Sequence, residues 1–228
     1  MSDPLAGSSW SRRQTVAGFS TAAPNATLMR FAHDELQRLG SGRALDIGCG
    51  AGRNAIPLAS LGWQVIGIDL SLPMIQAAAE RAARDRVHHH LQLALATMDA
   101  LPVRDRSCDL LIAHGIWNLA RSAETFRRAI RGAARIAKVG AGLFVFTFSR
   151  ATLAPQAVPI DGEPFVFTEF SGEPQCFLTE QQLLAELASA GFTPDPAVPL
   201  HELNRPPAGS LRTAGSPVIY EGAFRRSR

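Results

Sequence analysis

The stretch Ala44-Leu45-Asp46-Ile47-Gly48-Cys49-Gly50-Ala51-Gly52 contains the signals that decide the fold. It begins with a short, mostly apolar run that glycines stop, which is typical of a strand. The alternating glycines let the backbone turn tightly, and Gly52 opens a segment with helical spacing whose first N–H groups would face the turn. The stretch therefore predicts a strand, a tight turn and a helix in direct succession.

The same alternation of strands and helices continues along the chain. Further strand-like runs are Gln64–Asp69, Val87–Leu95, Asp109–Ala113, Ala141–Phe148 and, after a proline-rich stretch, Val218–Arg225. Helical patterns separate most of them, which favours right-handed crossovers and a parallel sheet covered on both faces. We therefore expect a doubly wound α/β domain whose last strand is antiparallel.

The length of 228 residues fits one domain with decorations rather than two domains. We expect a single domain over residues 26–228, preceded by a flexible segment, residues 1–25, that could act as a lid. An insertion at about residues 150–178 is too long for a simple connection, and such loops are usually lids or binding loops.

The composition excludes several classes of protein. Apolar residues make up 46% of the chain and charged residues 19%, as in globular domains. The longest apolar runs are strand-sized and no secretory signal is evident, so we expect neither a membrane span nor export. Three widely spaced cysteines, Cys49, Cys108 and Cys176, fit a reducing cytoplasm and no zinc site.

A group of basic residues and a run of three histidines could indicate nucleic-acid or metal binding, but a structural role explains each of them better. The net charge is only +3, and the basic residues between 127 and 138 lie opposite an apolar stripe, which indicates a solvated helix face rather than a nucleic-acid surface. His88-His89-His90 falls in a predicted strand, where the first and third side chains share one face and the second points away. We therefore expect no metal site there.

Acidic residues follow the predicted strands at the edge where ligands of doubly wound sheets bind. Asp69 closes the second strand, where a carboxylate can accept hydrogen bonds from both hydroxyls of a ribose. Asp99 follows the third strand and could accept from the exocyclic amine of an adenine lying between Leu70 and Met98. The Gly-x-Gly-x-x-Gly pattern of nicotinamide-binding folds fails here, because Arg53 stands where its last glycine would be.

These segments together resemble the class I S-adenosylmethionine-dependent methyltransferases, over roughly residues 26–192. The residues that carry the resemblance are Leu45–Gly52, Asp69, Met98-Asp-Ala-Leu-Pro102, Cys108–His114, Phe177–Leu183 and Ala190-Gly-Phe192. The resemblance implies a Rossmann-like sheet of seven mostly parallel strands, S-adenosyl-L-methionine as cofactor and S-adenosyl-L-homocysteine as product. Gly52-Arg53-Asn54 further resembles the tellurite-resistance branch, which methylates small thiols and metalloid oxyanions.

The resemblance also implies the residues of the cofactor site. The loop Gly48–Gly52 would line the methionine part, Asp69 would hold the ribose and Asp99 would meet the adenine. The predicted cofactor-binding residues are Asp46, Gly48, Cys49, Gly50, Gly52, Arg53, Asn54, Asp69, Leu70, Met74, Met98, Asp99, Ala100 and His114.

His114 leaves the fourth strand toward the expected methyl position and is the candidate catalytic residue. It could be a general base, a substrate contact or a histidine with a merely structural hydrogen bond. A base is needed only where the methyl acceptor holds a proton at neutral pH, as a hydroxyl does. Trp10, Trp117 and Asn118 are predicted substrate contacts, although an aromatic residue at position 117 fits the core equally well.

Three functions are compatible with this sequence. The first is methyl transfer to a small molecule through sulfur, oxygen or a metalloid oxyanion, by a monomer or homodimer. The second is methylation of RNA or protein. It is disfavoured because His114-Gly-Ile-Trp-Asn118 replaces the Asn/Asp-Pro-Pro-Tyr signature often seen for amino groups. The third is a cofactor-binding module that needs a partner subunit for activity.

Overall fold

A computed structural model describes residues 2–205 and 216–227. Its main sheet has five parallel strands, and their bounds are β1 Arg43–Ile47, β2 Gln64–Asp69, β3 Leu91–Leu95, β4 Cys108–His114 and β5 Ala137–Phe148. Beyond β5 come antiparallel strands, of which β8 is Phe192–Pro194, β9 is His201–Leu203 and β10 is Ile219–Arg226. The order is β3-β2-β1-β4-β5-β10-β8, with β9 paired to β10. The predicted Rossmann-like α/β fold with an antiparallel last strand is thereby confirmed.

Six helices accompany the strands in the described ranges. They are α1 Arg13–Thr21, α2 Ala26–Leu39, α3 Ala55–Leu61, α4 Leu72–Arg84, α5 Ala123–Ile136 and α6 Glu180–Ser189. Polar side chains cap the first turns of α4 and α6: Ser71 accepts from the Met74 amide, and Thr179 and Gln182 form a capping box. No helix in residues 2–205 and 216–227 is long and apolar enough to cross a membrane.

The alternation of side chains along β4 divides the core into two layers. Leu110 and Ile112 pack with residues of α2, α3 and α4, whereas Leu111 and Ala113 pack with residues of α5 and α6. All four side chains are fully buried. The helices therefore cover both faces of the sheet, and the carboxyl edge of its parallel strands is the place where ligands of such sheets bind.

The third strand is shorter than the sequence predicts. The chain makes a left-handed turn at Arg86, with φ at 59°, and continues as a short 3-10 helix, His88–His90, before β3 begins at Leu91. The prediction of a strand over Val87–Leu95 was therefore wrong in its first four residues. The three histidines lie on a helical turn, not on alternate faces of a strand.

Both decorations contain regular structure. The N-terminal segment forms a 3-10 turn, Ser9–Ser11, and then α1, which packs against α4. Within the insertion, β6 Val166–Phe167 and β7 Gln175–Cys176 form a two-stranded antiparallel sheet, which accounts for the strand-like run in that region. A role as a lid stays a prediction for each.

Candidate active site

The glycine turn after β1 is held against the end of β2. The Cys49 amide donates to the Ile68 carbonyl at 2.8 Å. Gly48 has a φ of 72°, and a Cβ there would lie 2.7 Å from the Ile116 side chain, so both backbone conformation and space require glycine. Cys49 is buried, and burial raises the pKa of its thiol well above the usual value, so the thiol is a packing group rather than a nucleophile.

Asp69 ties the glycine turn to the start of α4. Its carboxylate accepts from the Gly50 amide at 2.9 Å through one oxygen and from the Ser71 amide at 2.9 Å through the other. Burial raises its pKa, while these backbone hydrogen bonds oppose the rise. Each oxygen keeps a lone pair for a further donor, such as a ribose hydroxyl.

Asp46 of β1 is a buried acid at the base of the site, and one of its carboxylate oxygens has no partner in the part of the chain that the structure describes. It is 1% exposed, and its Oδ2 has no hydrogen-bond partner among the described residues. Burial raises its pKa to about 7, although the nearby charge of Arg53 acts in the opposite direction. A buried oxygen without a partner suits a cationic or N–H-bearing ligand group.

His114 lies between two nitrogen donors at the end of β4. Nη2 of Arg53 is 2.8 Å from Nδ1, Nδ2 of Asn25 is 3.3 Å from Nε2, and the ring stacks on Phe146 at 4.1 Å between centroids. Burial, and then the charge of Arg53, lower the pKa of His114 to about 3. The imidazole is therefore neutral at physiological pH.

The N-terminal segment lies against the glycine turn. Phe19 would be 3.4 Å from a Cβ placed on Gly50, the Arg53 guanidinium lies 5.8 Å from the centroid of the Phe19 ring, and Trp10 contacts Phe19 edge to face. Ser11 and Ser71 share a hydrogen bond between their hydroxyls at 3.1 Å. These contacts place Trp10, which is 37% exposed, beside the site.

Asp99, which is predicted to meet the adenine, is hydrogen-bonded to an arginine of the protein itself. Asp99 accepts two hydrogen bonds from Arg128 of α5, at 2.9 and 2.5 Å. Burial acts to raise the pKa of Asp99, but the hydrogen bonds from Arg128, Thr97 and the backbone, together with the charge of Arg128, outweigh it and the pKa is lowered. Leu70 and Met98 are half-buried and Ala100 is exposed. Contact with adenine remains a prediction for these residues.

Two predicted substrate contacts are buried in the protein. Trp117 is fully buried, with its ring edge to face against Phe126 at 6.2 Å, and Asn118 is 2% exposed. They are buried because the chain after β4 turns into a short 3-10 helix, Trp117–Leu119, which packs against α5. Trp117 packs in the core, and contact with a substrate remains a prediction for both side chains.

Sequence reasoning missed Asn25, Phe19 and Glu221. Asn25 caps α2 by accepting from the Leu28 amide at 2.8 Å and donates to Glu221 of β10 at 2.7 Å. An asparagine just before an apolar periodic run was available as a helix-cap signal. The acid in the middle of the apolar run Val218–Phe224 was a signal of a buried carboxylate, but it did not identify the partner.

Comparisons with known proteins bear on this arrangement. A family model described as a methyltransferase domain matches residues 44–140. A malonyl-(acyl-carrier protein) O-methyltransferase of Pseudescherichia vulneris is 32% identical over 189 residues, which cover 78% of this chain and 68% of that protein. The chain belongs to the class I S-adenosylmethionine-dependent methyltransferases. The tellurite-resistance branch suggested by Gly52-Arg53-Asn54 remains a prediction.

Other relatives of this methyltransferase match over shorter or more divergent stretches. A protein of the same name from Salmonella typhimurium is 37% identical over 99 residues, 40% of this chain, and the match spans only 37% of that relative's length. A SAM-dependent methyltransferase structure from Methanosarcina mazei aligns with a TM-score of 0.70 and 22% identity, covering 90% of this chain and 99% of that one. At that identity the structural likeness shows the fold alone.

The cofactor of this family is S-adenosylmethionine, and the residues of the site fit it. The unpartnered Oδ2 of Asp46 suits a group with N–H donors such as the methionine ammonium, and Asp69 keeps lone pairs for ribose hydroxyls. The half-buried Arg53 is the nearest cation to Asp46 and suits the methionine carboxylate.

The raised pKa of Asp46 makes a testable prediction about stability. Its folded-state pKa of about 7 lies above the ordinary value of 3.8, so between these pH values the folded chain holds a proton that the unfolded chain has lost. The free energy of unfolding therefore falls as pH rises through this window. From pH 5 to pH 8, we expect it to fall by on the order of 2 kcal/mol more in the wild type than in Asp46→Asn.

Urea unfolding of the cofactor-free protein at both pH values measures this difference. Asp34→Asn, at an exposed position, controls for the loss of one negative charge. An equal pH dependence in the wild type and Asp46→Asn would show that Asp46 is already ionised at pH 5.

Proposed function

We propose that this protein transfers the methyl group of S-adenosylmethionine to an oxygen of a small or carrier-bound molecule that is ionised at neutral pH, such as a carboxylate. The observation that supports the proposal most strongly is the environment of His114. Its imidazole faces Arg53 and Asn25 and has a pKa of about 3, so it is a poor proton acceptor. An acceptor that arrives with its own negative charge needs no base.

The residues of the chain would act by binding and orientation. When bound, the cofactor supplies a methyl group that is already electrophilic. Asp69 would fix the ribose, and Asp46 and Arg53 would fix the two ends of the amino-acid part. The N-terminal segment, through Phe19 and Trp10, would exclude water from the glycine turn. The acceptor oxygen then has to be held in line with the methyl group, which is catalysis by proximity.

The names of two relatives agree with an oxygen acceptor. Both proteins reported above are named malonyl-(acyl-carrier protein) O-methyltransferases. Because the Salmonella match covers well under two thirds of that relative, the acceptor is transferred to this chain only as a proposal. Sulfur and metalloid acceptors, which also bring their own lone pairs, remain outcomes that the experiment distinguishes.

Methylation of RNA is the second candidate, and the charges on α5 disfavour it. The basic side chains of the predicted solvated face, four on α5 and Lys138 at the start of β5, each pair with a carboxylate, so little positive charge is left for phosphates. These pairs are Arg127–Glu186, Arg128–Asp99, Arg131–Glu124, Arg135–Asp105 and Lys138–Asp109.

A cytoplasmic location also belongs to this proposal. Cys49, Cys108 and Cys176 are all free and buried, as expected of a protein that works in a reducing compartment.

The experiment is a turnover assay that measures S-adenosylhomocysteine with a panel of acceptors. The panel contains acyl carboxylates free and carrier-bound, phenols, thiols, tellurite and RNA. We expect product with a carboxylate acceptor and the methyl group on oxygen. If RNA is the only acceptor in the panel that is methylated, the proposal is overturned. If S-adenosylhomocysteine forms only after a partner protein is added, the cofactor-binding module is favoured.

The dependence of rate on pH tests the role of His114. We expect turnover at saturating acceptor to follow the ionisation of the acceptor and to show no limb from His114 between pH 5 and 8. His114→Gln should then lose less than about tenfold in kcat, since loss of a general base costs roughly 10²–10⁴-fold. A loss of that size, together with disappearance of a pH limb, would identify His114 as the base after all.

A further inference from the structure

A row of side chains crosses the sheet from the candidate active site toward its far edge. His114 of β4 is in register with Phe146 of β5, Phe146 with Glu221 of β10, and Glu221 with His201 of β9. Neighbours in register point to the same face of a sheet. Glu221 is 3% exposed, which is unusual for a carboxylate in the middle of a strand.

Asn25 connects the buried carboxylate to the imidazole. Its Oδ1 accepts from the Leu28 amide, so its Nδ2 must be the atom that faces the other two groups. Nδ2 lies 2.7 Å from Oε2 of Glu221 and 3.3 Å from Nε2 of His114. The two N–H bonds of this amide are therefore directed at the carboxylate and at the ring.

The two ring nitrogens of His114 thus face donors only. Arg53 lies at Nδ1 and Asn25 at Nε2, and a neutral imidazole has a single acceptor nitrogen. The neutral ring can therefore accept from one of these two donors, at Nδ1 or at Nε2. A second proton would point N–H groups at donors on both sides of the ring.

We propose that Asn25 and Glu221 are positioning residues for His114: the Glu221 carboxylate holds the Asn25 amide with an N–H toward Nε2, and Asn25 and Arg53 together keep a second proton off the ring. This inference rests on the proposed function, because a ring that is kept neutral requires an acceptor that is already ionised. It adds a carboxylate to the site that sequence reasoning had not located.

The charged groups around the ring agree with this role. Arg53 is the cation nearest to it, Asp46 lies beneath Arg53, and His201 lies beyond Glu221 with Nε2 at 3.8 Å from Oε1. Glu221 reaches the imidazole through the Asn25 amide, and no carboxylate oxygen among the described residues hydrogen-bonds to the ring. The low pKa of His114, caused by burial and by the charge of Arg53, agrees with a ring that stays neutral.

An exchange of the two partners tests the proposal. The double variant Asn25→Asp with Glu221→Gln keeps the total charge, the side-chain shapes and a good helix cap. It places a carboxylate oxygen, an acceptor with negative charge, at Nε2 of His114. We expect the pKa of His114 to rise by at least about two pH units, since an opposite charge within hydrogen-bond distance shifts a pKa by roughly one to three units.

Nuclear magnetic resonance of the ¹⁵N-labelled His114 ring, assigned by its loss in His114→Gln, measures this directly. In the wild type we expect no titration midpoint of His114 between pH 4 and 8, since its pKa is about 3, and in the double variant a midpoint within that range. If the double variant fails to fold, Asn25→Asp alone leaves two carboxyl groups within hydrogen-bond distance that share one proton, so one negative charge still lies beside Nε2 and the same titration is expected. A folded variant whose His114 ring does not titrate in this range would overturn the proposal, as would a wild-type His114 ring that does.

Glu35→Gln is the matched control. Glu35 is another buried carboxylate on α2 that contacts β10, through Arg225 at 2.6 Å, and its removal should leave His114 silent. The titration requires neither cofactor nor turnover. A failure to methylate any acceptor would therefore contradict the proposed function and leave this result standing.

Discussion

Asp69→Ala should weaken the binding of S-adenosylhomocysteine by roughly 10²–10⁴-fold. The variant would lose two charge-assisted hydrogen bonds to the ribose hydroxyls, each worth about 1.5–3 kcal/mol. The structure adds a second cause, because the same carboxylate holds the Gly50 and Ser71 amides and so shapes the glycine turn. Isothermal titration calorimetry on the folded variant measures the effect.

Two further variants separate these causes. Asp69→Asn keeps one carbonyl acceptor and should lose less affinity than the alanine variant, because part of the turn is still tied down. Asp109→Asn removes a carboxylate at the opposite end of the strands, where it pairs with Lys138, and should bind with wild-type affinity. Unchanged affinity in Asp69→Ala would show that this acid is not at the ribose.

Trp117→Ala should destabilise the protein by about 3–5 kcal/mol, the usual cost of deleting a fully buried large aromatic side chain. The indole is 0% exposed, and its edge meets the Phe126 ring. The neighbouring helices cannot close the space completely, so a cavity would remain. Urea unfolding should show a lower midpoint with an unchanged slope, which is the signature of altered stability.

Trp117→Phe and Trp10→Ala are the companion variants. The indole Nε1 is buried and has no hydrogen-bond partner within residues 2–205 and 216–227. Phenylalanine should therefore cost less than alanine, because it also removes an unsatisfied donor. Trp10→Ala, at an exposed position, should change stability by about 0.5 kcal/mol or less. A stable Trp117→Ala with a raised KM for the acceptor would instead place this indole in an open pocket.

The parts of the site that sequence predicts are those whose signals are local. The glycine turn, the strand before it and the acid ending the next strand are each encoded within a few residues. The rule that parallel strands end at one edge then brings Asp46 and Asp69 to the same place. The hydrogen bond from the Gly50 amide to Asp69, 19 residues away, shows that the glycine turn and the end of the second strand meet.

Sequence reasoning fails where a residue's partner is distant or where burial decides its role. Asn25 and Glu221 are 196 positions apart, and no periodicity links an asparagine before a helix to an acid in the last strand. Trp117 was equally compatible with a pocket and with the core, and its contact with α5 decides for the core. Val87–Leu95 was assigned to one strand because three polar histidines do not distinguish a strand end from a helical turn.

The position of β10 in the sheet has a consequence for biosynthesis. This strand comprises residues 219–226 and follows all the other described strands in the chain, yet it lies between β5 and β8 in the sheet. A nascent chain that has emerged only as far as α6 can pair β1 to β5, but the hydrogen-bonding edge of β5 stays open and Asn25 lacks its carboxylate partner. The central strands can therefore form during translation, and the surroundings of His114 are completed last, by a contact of high contact order.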